Sequence, residues 1–177
     1  MAELTFNTEA GTTIERERLV CYMNTGTDQA AVWTALGKRV PDSSEAYDWQ
    51  EETAMDILGD TRTTLHKPNI SQTFDPVKLD SEDSPAVKVW NIAIKDRNAK
   101  GLVNFDLLIV HLYAGTANTA MFAERYDSCA VFPTGIGGSG GGDIQMPIEV
   151  RFGGTRTTGT AAIASGVVTF TPDNANG

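Results

Sequence analysis

Several things are scarce in this 177-residue chain, and each scarcity excludes a class of protein. There are two cysteines, Cys21 and Cys129, far apart and in no CxxC pair. That rules out a disulfide scaffold and a cysteine-based metal module. Both thiols are expected as buried small hydrophobes in a reducing compartment. There are only two histidines, His66 and His111. Long hydrophobic runs are missing: the stretch 107–110 is stopped by His111, whereas a membrane-spanning helix needs about 18 apolar residues or more. No membrane insertion is expected. Positive charge is in the minority, with 14 Lys and Arg against 23 Asp and Glu, for a net charge of -9. A chain so acidic repels phosphate and does not grip duplex nucleic acid through a basic surface.

What the chain does have is ordinary globular composition. Hydrophobic residues make up 41% and charged residues 21%, enough for a real core and too apolar for a disordered chain. One domain is expected, as an N-terminal arm over 1–17, a β-domain over 18–172 and a flexible tail over 173–177. The first nine residues are acidic and lack an apolar core, so no signal peptide is expected and synthesis is assigned to a cytoplasm.

The dominant hydrophobic period is two. Strands are expected over 19–23, 30–36, 105–113, 121–132, 144–152 and 161–171, with 105–113 apolar on both faces and therefore central. From Tyr47 to Ile57 the odd positions are mostly apolar. The even ones carry Asp48, Glu52 and Asp56, the pattern of a half-buried strand. Gly59-Asp60 then turns the chain. The return strand, 61–74, places Trp49 opposite Ile70 and Glu52 opposite Lys67 if those two residues form the whole loop. Pro68 demands an edge or a bulge there. A hairpin with such long arms is expected to project from the body.

Ser84-Pro85 reads as a cap and first turn, and a helix is expected over 84–98. Lys88, Asn91 and Lys95 fall on one side of it, and Val87, Trp90 and Ile94 on the other. Residues 135–143 are a glycine-rich loop, and 155–159 reads as a turn. The sum is a mainly β fold, a β-sandwich or partial barrel of about eight strands with one packed helix and a long hairpin.

Catalytic signatures are weak. Gly135, Gly137 and Gly140 match GxGxxG, and the run 137–141 matches GxSxG, but both motifs require a helix directly afterwards. Here a strand pattern follows. His66 reads as a surface residue and His111 as a satisfied core residue. Asp48, Glu52 and Asp56 are spaced roughly 6–7 Å apart on a strand face, too far for one ion. Asp80, Glu82 and Asp83 imitate a calcium loop, but Pro85 stands where its glycine belongs. No cofactor, metal or catalytic residue is assigned, and a non-enzymatic role is expected.

The order of segments resembles a known family. Trp33-Thr-Ala-Leu-Gly-Lys-Arg-Val40, Ala46-Tyr-Asp-Trp-Gln-Glu-Glu52, Asp56-Ile-Leu-Gly-Asp60, Ile70-Ser-Gln-Thr-Phe-Asp-Pro76, Val89-Trp-Asn-Ile-Ala93, Met121-Phe-Ala-Glu-Arg-Tyr126 and Val167-Val-Thr-Phe170 together look like the major tail tube proteins of long-tailed bacteriophages. The resemblance implies a structural virion protein that forms stacked homohexameric rings around a shared β-barrel. It implies a conduit for double-stranded DNA during genome ejection, without specific binding. Tape-measure, tail initiator and tail terminator proteins are the implied partners, with the virion tail as destination and the host cytoplasm as the place of assembly. Under this reading Asp48, Glu52 and Asp56 face the lumen or an adjoining ring. Leu58, Gly59 and Asp60 form an inter-subunit hairpin tip, and Gly137, Gly138, Ser139 and Gly140 a flexible contact loop. Three alternatives stand beside it: a monomeric β-sandwich that binds a ligand near the glycine-rich loop, the tube subunit of a tail-like bacteriocin, and a hydrolase using His66 or His111 with a loop serine.

Two physical arguments agree with the resemblance. About eight strands fill their own barrel with side chains, so a DNA-wide channel needs several copies closed into a ring. A wall that lets DNA slide must not hold it, and an acidic subunit suits that.

Overall fold

The computed structural model describes residues 3–27 and 29–173. The expected tail, beyond Asp173, lies outside the described residues. The strands are β1 (Leu19–Asn24), β2 (Trp33–Ala35), β3 (Asp42–Asp48), β4 (Glu51–Met55), β5 (Thr61–Leu65), β6 (Asn69–Asp75), β7 (Phe105–Thr116), β8 (Ala120–Pro133), β9 (Ile148–Arg151), β10 (Arg156–Ala164) and β11 (Val167–Pro172). One helix, α1 (Ser84–Trp90), continues through a π-helical turn to Lys95. The fold is mainly β, as the period-two pattern requires.

The apolar run of β7 lies between β1 and β8. Its residues Leu107, Leu108, Ile109 and Val110 are buried on both faces. Each buried side chain of that size contributes about 1.5–3 kcal/mol. One sheet runs β2-β1-β7-β8-β10-β11, and β11 returns beside β2, so the sheet curls into a partial barrel. Leu108, Val110, Met121, Ala123, Ala161 and Val168 fill it. The other face of β7 packs under α1 and under a second sheet, β3-β6-β9, which joins through the last four residues of β8. β8 belongs to both sheets. It bends at Asp127–Ser128, where both side chains are exposed and the ladder with β7 slips by one residue.

Three expectations change. Segment 47–57 is two strands, not one. Gln50 has a positive φ of 45° and breaks the pleat between β3 and β4. The β4–β5 ladder pairs Glu52 with Thr64, and Tyr47, rather than Trp49, faces Ile70. The loop is five residues long because Asp56 Oδ1 accepts from the amides of Leu58 at 2.9 Å and Asp60 at 3.0 Å. That side-chain turn replaces the expected two-residue loop. Pro68 falls in the gap between β5 and β6, the irregularity its missing donor demands.

The second change is at 155–171. Residues 156–159 belong to β10 instead of a turn, and the chain reverses at Ser165 and Gly166, with φ of 50° and 79°. Two successive left-handed residues make the tight turn that suits a hairpin. A Cβ on Gly159 would strike the Thr171 carbonyl oxygen, so this glycine marks a close approach inside a strand. These two changes raise the count from about eight strands to eleven.

The third concerns α1. Asp83, not Ser84, is the cap, accepting from the Ala86 amide at 3.2 Å. The helical stretch ends at Lys95. Its buried face is Pro85, Ala86 and Val89, while Val87 is exposed and Lys88 Nζ donates to the Asn24 carbonyl at 3.1 Å.

Candidate assembly surfaces

β4 and β5 form a two-stranded sheet of their own in which every residue is exposed. Such a ribbon buries nothing and is marginal in isolation. Its exposed apolar side chains are Met55, Ile57, Leu58 and Leu65, with Ile57 fully exposed and Leu58 at 83%. The expected tip residues Leu58, Gly59 and Asp60 stand at its far end, and Gly59 has a φ of 88°.

Asp48, Glu52 and Asp56 do not form one continuous face, because the break at Gln50 interrupts the alternation. Asp48 Oδ2 accepts from Gln50 Nε2 at 2.6 Å. Glu52 lies 3.5 Å from His66 Nε2 at the surface. Asp56 is exposed and spends its Oδ1 on the tip amides of Leu58 and Asp60. Among the described residues no three acidic, His or Cys side chains cluster as metal ligands would.

The glycine-rich loop follows β8. Gly137 exchanges backbone hydrogen bonds with Gln145, at 2.9 and 2.6 Å, and Gly138 crowds the Asp143 carbonyl. Gly140 has open space around it. The chain then enters β9, so the helix that either glycine motif requires is absent after Gly140 and Ser139.

Beneath the hairpin lies a polar cluster that the sequence did not announce. Glu124 of β8 is buried and accepts from Arg156 Nε at 2.6 Å and from the Tyr126 hydroxyl at 3.0 Å, and His111 Nε2 is 3.2 Å away. His111 Nδ1 meets the Tyr113 hydroxyl at 2.8 Å, so both ring nitrogens are engaged. Burial pushes the Glu124 carboxyl up, but the hydrogen bonds from His111 and Arg156, the Arg156 charge and the Tyr126 hydroxyl outweigh it. Together they hold the carboxyl down at about 2. Burial and the neighbouring Glu124 charge push the Tyr126 hydroxyl up. Nearby, burial also raises Glu45, whose partner is the Tyr47 hydroxyl at 3.0 Å. This cluster ties β7, β8 and β10 together. It fits a structural role better than acid–base chemistry.

Next to it opens a cleft of about 490 Å³, between the hairpin base and β10, lined among others by Trp49, Lys67, Tyr126, Phe152 and Arg156.

Part of the N-terminal arm is pinned. Phe6 bridges Ala114, and Asn7 donates from Nδ2 to the carbonyls of Leu112 at 3.0 Å and Gly115 at 3.2 Å. It fills the bulge where the β7–β8 ladder shifts.

No family model and no curated protein matches the sequence. Solved structures do. The SPP1 tail tube protein aligns with a TM-score of 0.56 and 10% identity, over 85% of this chain and 81% of that one. The sheath/tube terminator of PVC, an extracellular contractile injection system, aligns at 0.51 and 9%, over 85% and 99%. The tube-terminating cap of the anti-feeding prophage aligns at 0.50 and 11%, over 88% and 96%.

This chain has the tail-tube fold. Within that tail-tube fold the second sheet ends on two strands with no strand partner on their outer side, although Arg16 Nε donates to the Ser43 carbonyl of β3 at 2.8 Å. Among the described residues no strand lies outside β3. The last four residues of β8 pair with β9 on one side, beyond the point where β7 begins at Phe105. The outward face of β3, β6 and β9 is small and polar, with Ser44, Ala46, Ser71 and Thr73 beside Asp42, Asp75 and Glu149, and β8 adds Ala130 and Phe132 to it. Arg151 is its one strand-borne base and is paired with Glu149. Among the described residues no helix is long and apolar enough to cross a membrane.

Proposed function

We propose that this chain is the structural subunit of a phage tail tube, assembling into stacked homohexameric rings. The single observation that carries the reading is the four-stranded sheet whose two outer strands have no strand partner on their far side and whose mostly polar outward face carries more acid than base. An open edge invites pairing with another chain. A head-to-tail contact between the two different edges closes into a ring when the rotation between copies permits it. The polar face then becomes the wall of a channel. Asp42, Asp75 and Glu149 give that wall net negative charge, so duplex DNA passes without releasing counterions to it. Asp48 and Glu52 extend the acidic surface onto the hairpin, at the lumen or toward the next ring. The role is structural and non-enzymatic, a reading supported by the likeness to tube proteins.

Tube growth by such a subunit calls for an initiator, a length-setting tape measure and a terminator, and the virion tail is its destination after assembly in the host cytoplasm. The likeness to injection-system proteins keeps a tail-like particle as a second reading of the same tube.

Sedimentation across a concentration series tests assembly. The proposal expects the 19.0 kDa chain to give way to a six-subunit species and larger stacks. A single monomeric boundary at every concentration overturns it.

A further inference from the structure

Glu45 of β3 and Gln72 of β6 are direct partners in the ladder of the second sheet. Both turn toward the interior: Glu45 is half-buried between the exposed Ser44 and Ala46, and Gln72 is 1% exposed. Each keeps one buried acceptor oxygen, Glu45 Oε1 and Gln72 Oε1, that no donor among the described residues reaches. Their other polar atoms are engaged. Gln72 Nε2 donates to Ser43 Oγ at 3.0 Å, and the Tyr47 hydroxyl donates to Glu45 Oε2 at 3.0 Å. Opposed side chains on one sheet face have Cβ atoms about 5 Å apart, so their ends can meet in a hydrogen bond.

The two basic groups that face Glu45 are committed elsewhere. Arg16, in the turn before β1, donates to the carbonyls of Ser43 and Leu19 at 2.8 and 2.6 Å. His111 of β7 has both ring nitrogens engaged, by Tyr113 and Glu124. The other titratable groups around Glu45 are Tyr47 on its own strand, Cys21 of β1, Tyr113 of β7 and Glu124 of β8, and Glu124 is already an anion. An ionised Glu45 would be a second buried carboxylate without a counter-ion. Turning the Gln72 amide over, with Nε2 toward Glu45, would leave that charge in place. One proton removes the charge and satisfies both orphan oxygens.

We propose that Glu45 keeps a proton on Oε1 and donates it to Gln72 Oε1, a latch that holds the outer strand β3 on β6 and makes tube assembly sensitive to rising pH. Burial raises the Glu45 carboxyl, in the direction this requires. The folded chain then holds the proton more tightly than the unfolded one, so the latch is present at low pH and is lost as pH rises through the raised value. Its loss sets a second anion near Glu124 and strips Gln72 Oε1 of its donor. The assembly half of the inference rests on the tube reading, which uses the outer side of β3; the proton itself does not.

The test is infrared difference spectroscopy, wild type minus Glu45→Gln, through a pH titration. The expected result is a carboxylic-acid C=O band that persists at about pH 5.5, where an ordinary glutamate is about nine-tenths ionised. A difference spectrum with only carboxylate bands at that pH overturns the proposal. Gln72→Met then separates an acceptor from a donor. Removing the acceptor of a neutral acid should move the midpoint of the band to lower pH. A midpoint moved upward means that Gln72 serves the anion, and overturns the proposal. If Glu45→Gln fails to fold, the titrating band of wild type is compared with that of Gln72→Met directly. For assembly, wild-type tubes should come apart as pH passes the midpoint of the band, while Glu45→Gln tubes persist. Equal pH dependence of the two overturns the control of assembly. Wild type that makes no tubes at any pH overturns the tube reading, and the band still decides the proton.

Discussion

Arg156 of β10 donates from Nε to Oε2 of Glu124 on β8 across 2.6 Å, beside the pairing of these two strands. The contact adds a charged pair to the β8–β10 ladder on the face opposite the barrel filling. Glu124 is among the few charged residues that are buried.

Glu124→Ala should destabilise the monomer by about 2–3 kcal/mol, because Arg156 and His111 lose their shared acceptor in a part-buried site. Urea unfolding measures this. Glu124→Gln, which keeps an acceptor, should cost less.

The same carboxyl sets an acid limit. Its folded value is about 2 against an ordinary 4.5, so the folded state holds the proton more weakly than the unfolded one. The stability it contributes is complete above about pH 4.5 and is lost as pH falls toward 2. Glu45 works the other way. Burial raises its carboxyl, so its contribution is present at low pH and fades as pH rises through that raised value. Unfolding curves from pH 2 to 6 should therefore show a steep acid loss that Glu124→Gln flattens.

Cys21 and Cys129 should be inert in the native protein. Burial pushes the Cys21 thiol well up, and burial with nearby carboxylates takes Cys129 to about 12. Thiolate is the reactive form. Titration with a disulfide reagent at pH 8 should find no reactive thiol in buffer and two in denaturant; rapid native labelling would contradict their placement.

Gly159→Val should be severe, on the order of 2 kcal/mol or more, since the new side chain meets the Thr171 carbonyl and the Phe170 ring and must part β10 from β11. Thermal unfolding reads it. Gly140→Ala, in open space, is the control and should leave the melting temperature nearly unchanged.

Asp56→Ala removes the acceptor for two tip amides, worth about 1 kcal/mol locally. Global stability should barely move, because the β4–β5 ribbon packs on nothing. Hydrogen exchange at Leu58 and Asp60 should quicken while core amides such as Ile109 stay protected.

These effects show what could be read from the chain and what could not. The doubly apolar 105–113 run had to be a central strand, and the alternation from Tyr47 with Pro68 beyond it had to be a long, irregular hairpin. Its register was out of reach, because Asp56 spends its side chain on the loop and Gln50 takes a left-handed turn that few sequences announce. The β10–β11 hairpin was hidden since Ser165-Gly166 sits in a run of small residues where the apolar pattern continues across the turn. Glu124, His111 and Arg156 meet only after three strands align, so spacing carried no trace of them. The cleft beside them is likewise a product of topology. Glu124, set between Phe122 and Tyr126 on one strand face, was the one available signal, since a carboxylate among aromatic side chains requires a partner.

The most direct test is electron microscopy of the purified protein at rising concentration. The account predicts hollow cylinders, with end-on views of six subunits around an open channel. Compact single-copy particles at every concentration and salt, with neither rings nor tubes, would contradict it.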